Sequence, residues 1–304
     1  MQNKADLNVC VIGLGSMGFG MASSLLRDGF SVSSYDLNAE AVARLVALGG
    51  KPALSLSEAA AGADVVLCVV VNAAQTESAL FGQGGAAAAM APGGVIVSCA
   101  TMAPDAARNF AARAEASGLG YLDAPISGGA VRAAAGELTI MASGKPADFT
   151  RVRPVLDSIS AKVYELGEDA GTGAAFKIVN QLLAGVHIAA ACEAITFAKA
   201  MNLDIAKVYE VITASAGNSW MFENRVPHIL EGDYSPRSAV DIFTKDLGII
   251  SEMARGMKFP TPIASMALQM FVMTAAAGMG RDDDASVARM IAGLAGLALP
   301  GMEV

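Results

Sequence analysis

The chain has 304 residues, 54% of them hydrophobic and only 16% charged, with a formal net charge of −8 at pH 7. The length exceeds the usual single domain, so two domains are expected. The negative charge, with no run of Lys or Arg to override it, argues against a nucleic-acid partner but leaves room for a small anionic substrate held by local cations.

Residues 1–8 are polar and lead directly into an apolar strand pattern, without the charged region, apolar segment and cleavage site of an export signal. Short apolar runs at 9–13, 31–36, 65–71, 95–99, 121–124 and 138–142 then alternate with helical patterns, the rhythm of βα units around a mainly parallel sheet. The run at 65–71, Val-Val-Leu-Cys-Val-Val-Val, is apolar on both faces, as a central strand covered by helices requires. A last strand signal at 163–166 is followed by a glycine-punctuated turn at 167–173 and a helical pattern reaching about Asn202. Everything beyond reads as helix: one from Asp204, one from Met221, then 240–257, 263–277 and 283–297, with Pro or Gly between them. The expected architecture is an α/β Rossmann-type N-terminal domain with a mainly parallel sheet over 1–169, followed by an all-α C-terminal domain over 170–304.

The most membrane-like stretch, 178–198, contains Asn180, Gln181, His187 and Glu193, all costly in lipid, so no membrane span is expected and the cytoplasm is the expected location. Cys10, Cys68, Cys99 and Cys192 lie singly inside apolar runs, without the close pairing of a zinc or redox motif. They read as reduced core residues, and no metal site is expected.

Gly13-Leu14-Gly15-Ser16-Met17-Gly18 directly follows the first strand and opens a helix, the context in which a G-x-G-x-x-G pattern gains meaning. The first glycine permits the tight turn, the second lets the backbone approach a pyrophosphate, and the third allows close helix-to-strand packing, while the helix N-terminus supplies an anion site. Asp36 ends the second strand roughly 20 residues further on, where a carboxylate would accept from the adenosine ribose hydroxyls. No Arg follows Asp36 immediately to receive a ribose phosphate, so NAD is favoured over NADP.

Three segments carry a resemblance: Gly13 to Gly18; Asp123-Ala124-Pro125-Ile126-Ser127-Gly128-Gly129; and Gly171-Thr172-Gly173-Ala174-Ala175-Phe176-Lys177-Ile178-Val179-Asn180. In their order and spacing the sequence resembles the β-hydroxyacid dehydrogenase family, which includes 3-hydroxyisobutyrate dehydrogenase and tartronate semialdehyde reductase. Asp241-Ile242-Phe243-Thr244-Lys245-Asp246 looks like the family's fourth motif. Within the family, the segment from Ser215 to Met221 and the Val-Val-Val-Asn run ending at Asn72 look most like the branch that oxidises L-threonate to its 2-oxo form.

The resemblance implies an NAD-dependent oxidation of a small hydroxy acid, with Lys177 as the catalytic acid/base that takes the substrate hydroxyl proton during hydride transfer. Burial suits a lysine to that role by lowering its pKa. Asn180 and Gln181, at i+3 and i+4, share its helix face; the family usually carries Asn where this chain has Gln181. The resemblance makes Ser127, Gly128 and Gly129 the substrate-carboxylate loop, places Thr101 and Asn72 at the cofactor, and matches Lys245 to a family lysine that meets cofactor and substrate. It also implies a homodimer or homotetramer.

Read without the resemblance, Lys177 is a snorkelling surface lysine, the Ser-Gly-Gly segment an ordinary turn, Thr101 a helix cap, and Lys245 an i,i+4 partner of Asp241. His187 and His228 fall in no motif, and Trp220 and the Met-rich helices read as core or subunit contact. A non-enzymatic dinucleotide-binding protein would keep the glycines and Asp36 but would not need both Lys177 and Lys245. An imine reductase relative typically replaces the catalytic lysine, which this chain keeps.

Overall fold

The computed structural model describes residues 7–302, so most of the polar segment read for an export signal lies outside the described residues. The chain packs as two compact units, 1–178 and 179–304.

The first unit alternates strand and helix: β1 (Asn8–Ile12), α1 (Gly18–Arg27), β2 (Ser31–Tyr35), α2 (Ala39–Ala47), β3 (Lys51–Pro52), α3 (Leu56–Ala59), β4 (Val65–Cys68), α4 (Ala73–Phe81), β5 (Val95–Ser98), α5 (Pro104–Ala116) and β6 (Gly120–Asp123). The strands form one parallel six-stranded sheet in the order β3-β2-β1-β4-β5-β6. Period-2 alternation divides the apolar residues between two cores. Val9, Val11, Val65, Leu67, Val95 and Val97 face one, and Cys10, Ile12, Val66, Cys68 and Ile96 face the other. A strand apolar on both faces can only be buried between two helical layers, and every residue of β4 and β5 is buried. The apolar run at 65–71 outlasts its strand: pairing stops at Cys68, and Val71 is exposed in the loop before α4. The strand order reverses between β1 and β4, the switch point outside whose carboxyl ends such sheets bind ligands.

The strand signals at 138–142 and 163–166 do not extend this sheet, which corrects the expectation of a single one. They belong to a second sheet of three strands, β7 (Ile126–Ser127), β8 (Leu138–Ala142) and β9 (Ser160–Glu165), ordered β7-β8-β9 and connected by α6 (Gly129–Ala135) and α7 (Pro146–Ile159). Pro125 breaks the chain after β6, and the excursion through α6 is too short for a parallel crossover, so β8 returns antiparallel to β7. The longer excursion through α7 brings β9 back parallel to β8.

Helix α8 (Thr172–Ala200) begins in the first unit and continues into the second, which adds α9 (Ile205–Thr213), α10 (Trp220–Glu231), α11 (Val240–Gly256), α12 (Pro262–Thr274) and α13 (Val287–Leu294). Asp204 and Ser219 cap α9 and α10 through their side-chain oxygens. α12 passes into a wider turn at Ala275–Met279, where Gly278 adopts φ 89, so the helix expected to reach 277 ends earlier. By length and composition α8, and α12 extended to Met279, could cross a membrane; in α8 half of the apolar window is buried inside the fold, together with the polar Gln181 and Thr196. The four cysteines are free and buried; desolvation pushes the thiols of Cys10 and Cys68 up to about 12.

Candidate active site

The glycine turn is built as its spacing requires. Gly13 adopts φ +91 and a Cβ there would lie 2.4 Å from the Val69 carbonyl oxygen; a Cβ on Gly18 would lie 1.9 Å from Gly13 O. Both glycines are demanded by the protein's own packing. Gly15 differs: a Cβ there would meet nothing within 4 Å, so the protein itself leaves that space open for close approach by a ligand. Leu14, Ser16 and Met17 complete the turn, and α1 starts with no side chain capping it and no acid in its first turn, which leaves its N-terminus receptive to an anion. Asp36, following β2, accepts from Leu14 N on one oxygen (2.5 Å) and from Asn38 N on the other (2.7 Å). Each oxygen keeps lone-pair capacity for a ribose hydroxyl. An open cradle with a fixed carboxylate beside it fits a dinucleotide.

Two further residues predicted at the cofactor, Asn72 and Thr101, stand at strand carboxyl ends, while Lys245 lies on α11. Asn72 follows β4 and caps α4, its Oδ1 accepting from Gln75 N at 2.8 Å. Thr101 follows β5 half-buried; it is not the cap of α5, a position held by Ala103.

The Ser-Gly-Gly segment bridges β7 and α6. Ser127 closes the strand, Gly128 adopts φ 139 with the Arg132 and Leu138 side chains close by, and Gly129 adopts φ 78 with nothing within 4 Å of an added Cβ, so at Gly129 backbone is presented without side-chain cover. Lys177 lies in the first turns of α8, only 7% exposed, and its Nζ donates to the Ile126 carbonyl at 2.8 Å. The structure thus brings Lys177 to the residue preceding Ser127. This replaces the snorkelling alternative with a buried, directed amino group.

In the second unit Asn180, Gln181, Lys245 and Asp246 form a chain of polar contacts. Asn180 Nδ2 donates to Gln181 Oε1 at 3.0 Å, Gln181 Nε2 donates to Asp246 Oδ2, and Lys245 Nζ lies 2.5 Å from Asp246 Oδ1. Gln181 and Asp246 are buried. Both ends of the Gln181 amide are therefore engaged within the protein, while Asn180 is half-buried. Lys245 pairs with the adjacent Asp246.

Neither histidine joins these groups. His228 is 2% exposed, with Nδ1 2.8 Å from Asp283 Oδ1 and Nε2 2.9 Å from Arg237 Nη1, an arrangement that holds α10 to the segment before α13. His187 lines an apolar cavity of about 710 Å³ with Met201, Val208, Val211 and Phe222. No cluster of metal-ligating side chains occurs among the described residues.

Sequence reasoning missed two partners. Asp246 was quoted within a motif but given no role, and it anchors Gln181. Asp123 ends β6 and accepts from Gly171 N and Ala174 N at the start of α8; its place at the head of the Asp-Ala-Pro-Ile-Ser-Gly-Gly segment was the available signal.

A dinucleotide cradle at a sheet switch point, with a buried lysine at a glycine loop, defines a nicotinamide-dependent dehydrogenase, and relatives show which kind. A family model described as the NAD binding domain of 6-phosphogluconate dehydrogenase matches residues 8–167, and one described as NAD-binding of NADP-dependent 3-hydroxyisobutyrate dehydrogenase matches 171–291. The chain is 53% identical to an L-threonate dehydrogenase of Cupriavidus necator over 97% of this chain and 98% of that protein. It is 45% identical to an L-threonate dehydrogenase of Escherichia coli K12 over 99% of each. A crystal structure of a 3-hydroxyisobutyrate dehydrogenase from Salmonella typhimurium, 48% identical, superposes with TM-score 0.90 over 94% of this chain and all (100%) of that one. The chain belongs to the β-hydroxyacid (3-hydroxyisobutyrate-type) dehydrogenase family and is an NAD-dependent hydroxy-acid dehydrogenase.

Proposed function

We propose that the protein oxidises L-threonate to 2-oxo-tetronate with NAD, using Lys177 as acid/base. The observation that carries this is the buried Lys177 Nζ 2.8 Å from Ile126 O, immediately before Ser127, Gly128 and Gly129. Gly13, Leu14, Gly15, Ser16, Met17, Gly18 and Asp36, with Asn72, Thr101 and Lys245, would hold NAD, which when bound would supply the hydride acceptor. The Ser127 hydroxyl and the backbone of Gly128 and Gly129 hold the substrate carboxylate. Asn180 orients the hydroxyl. Gln181, proposed from sequence as a substrate contact, serves this site by fixing the Asn180 amide. As neutral amine, Lys177 keeps one N–H on Ile126 O and takes the hydroxyl proton while the hydride leaves the carbon; the oxo acid, NADH and a proton are the products.

The relatives named L-threonate dehydrogenase support this substrate. The solved relative named 3-hydroxyisobutyrate dehydrogenase supports a second reading, oxidation of 3-hydroxyisobutyrate, at a different carbon from that oxidised in threonate; reduction of tartronate semialdehyde is the other alternative within the family. NADH formation with L-threonate, 3-hydroxyisobutyrate and glycerate at matched concentrations separates them: preference for another acid discards threonate, and silence with all three removes the enzyme assignment of the site.

The same proposal extends to assembly and location. Exposed Phe197, Met201, Leu203, Phe259, Ile263 and Met266 on the helical unit support a homodimer or homotetramer, and the bacterial metabolic relatives support a cytoplasmic enzyme. A monomeric mass in solution would refute the assembly.

A further inference from the structure

The segment that begins at Asp123 and ends at the glycine loop also grips the helix that carries Lys177. The Asp123 side chain is 1% exposed, and its Oδ2 accepts from Gly171 N at 2.9 Å and from Ala174 N at 2.7 Å. Ser143 Oγ, just after β8, accepts from Gly173 N at 3.0 Å. A carboxylate and a hydroxyl thereby satisfy amide donors at the start of α8 that lack an intrahelical acceptor, with negative charge at the positive end of the helix.

The glycines make this close approach possible. A Cβ on Gly173 would lie 2.4 Å from Met141 O and 2.6 Å from Asp123 O, and one on Gly171, at φ +93, would lie 2.8 Å from Pro104 O. No side chain can stand between this helix end and the strand ends. Lys177 follows Ala174 by three residues and reaches back to Ile126 O, three residues after Asp123. One short stretch of backbone thus sets the helix register and receives the lysine Nζ. Sliding α8 by a single residue, about 1.5 Å, would take Nζ out of reach of that carbonyl.

We propose that Asp123 is the positioning residue for Lys177: anchored at the end of β6, its carboxylate holds the first turn of α8 where the lysine meets the Ser127 to Gly129 loop. The proposal rests on Lys177 being the acid/base.

Ionisation of Asp123 offers the readout. Burial pushes its carboxyl up to about 6 against the hydrogen bonds from Ala174, Gly171 and Ser143 and the charge of Arg108 on α5. The other titratable groups around it are Cys99 after β5 and Tyr121 on β6, and burial pushes both far up, so they stay neutral. Below about pH 6 Asp123 takes up a proton, its hold on the amides weakens, and turnover falls.

The test compares wild type, Asp123→Asn, Ser143→Ala and Lys177→Ala by NADH titration and by kcat against pH with the best-turned-over hydroxy acid. Asp123→Asn is expected to bind NADH within about twofold of wild type, to lose about 10- to 100-fold in kcat, as small misplacements of catalytic groups do, and to lack the extra fall below about pH 6, keeping only the fall that protonation of Lys177 itself produces. Ser143→Ala removes a hydrogen bond that favours the charged form, so its acid limb should move to higher pH. An Asp123→Asn kcat within about threefold of wild type, or a Ser143→Ala limb that does not move, overturns the proposal. Should Asp123→Asn fail to bind NADH, the Ser143→Ala limb decides alone. Lys177→Ala separates the two levels: if it turns over normally, the acid/base reading falls and this proposal with it, whereas an inactive Lys177→Ala beside wild-type behaviour of the other two variants sinks the positioning role only.

Discussion

The Leu14 amide donates to Asp36 Oδ2 across 2.5 Å, joining the glycine turn after β1 to the carboxylate after β2. With Asn38 N on its other oxygen at 2.7 Å, the acid is fixed in orientation before any ligand arrives. Hydrogen bonds to a charged group contribute about 1.5–3 kcal/mol, so Asp36→Ala should raise KM for NAD about 10- to 100-fold. The same change removes the charge that repels a ribose phosphate, so preference for NAD over NADP should shrink. Initial rates with both cofactors check this; an unchanged KM for NAD would detach Asp36 from the cofactor.

Two glycines of one motif should behave in opposite ways. Gly13→Ala places a Cβ 2.4 Å from Val69 O at a φ of +91, and the protein should fold poorly or lose several degrees in Tm. Gly15→Ala meets no protein atom within 4 Å, and its apo Tm should stay level or rise slightly. Its added methyl occupies the approach to the pyrophosphate, so the rise in Tm that NADH gives the wild type should vanish. Thermal unfolding of both variants with and without NADH reads the difference, and a Gly15→Ala protein fully stabilised by NADH would show that the dinucleotide lies elsewhere.

Lys177→Ala should lower kcat by about 10²- to 10⁴-fold, the usual worth of a positioned acid/base, while NADH affinity stays unchanged. Lys177→Arg is the sharper control. It keeps a cation near Ile126 O, but a guanidinium does not deprotonate near neutrality and cannot accept the hydroxyl proton, so it should be nearly as inactive. Substantial turnover in the arginine variant would leave the lysine a charge-placing role only.

What the sequence disclosed and what it withheld divide along contact range. The glycine turn, Asp36 and five of the six strands of the parallel sheet are local patterns, read from spacing and period, and they stand where expected, whereas the two-residue edge strand β3 (Lys51–Pro52) is too short to leave a periodic signal. The second sheet was not legible, because strand periodicity in β8 and β9 says nothing about which neighbour they pair with. Partners distant in sequence were equally hidden. Gln181 meets Asp246 across 65 positions and Asp123 meets Ala174 across 51, and no local rule links them. Asn72 shows the converse: an Asn ahead of an apolar helix is a cap by local chemistry, and its Oδ1 caps α4.

The helical unit is held by a buried pair that should be costly to break from one side. Arg225 Nε and Nη2 donate to Asp284 Oδ1 and Oδ2 at 2.6 and 3.0 Å, and the Asp284 side chain is fully inaccessible at 0%. Arg225→Ala leaves that carboxylate without its cation and should cost about 3–5 kcal/mol in denaturant unfolding, whereas replacing both partners with leucine should cost much less, since no buried charge remains. Burial already pushes Asp284 up to about 6 with Arg225 in place. A carboxyl whose folded pKa lies above its unfolded value binds more protons when folded, so its contribution becomes more favourable as pH falls through the folded pKa and approaches the unfolded one. Without Arg225 the folded pKa rises further. The penalty of Arg225→Ala should therefore be largest at neutral pH and shrink on acidification. Equal penalties for the single and double variants, or a single-variant penalty that grows as pH falls, would show that Asp284 is stabilised by something other than Arg225.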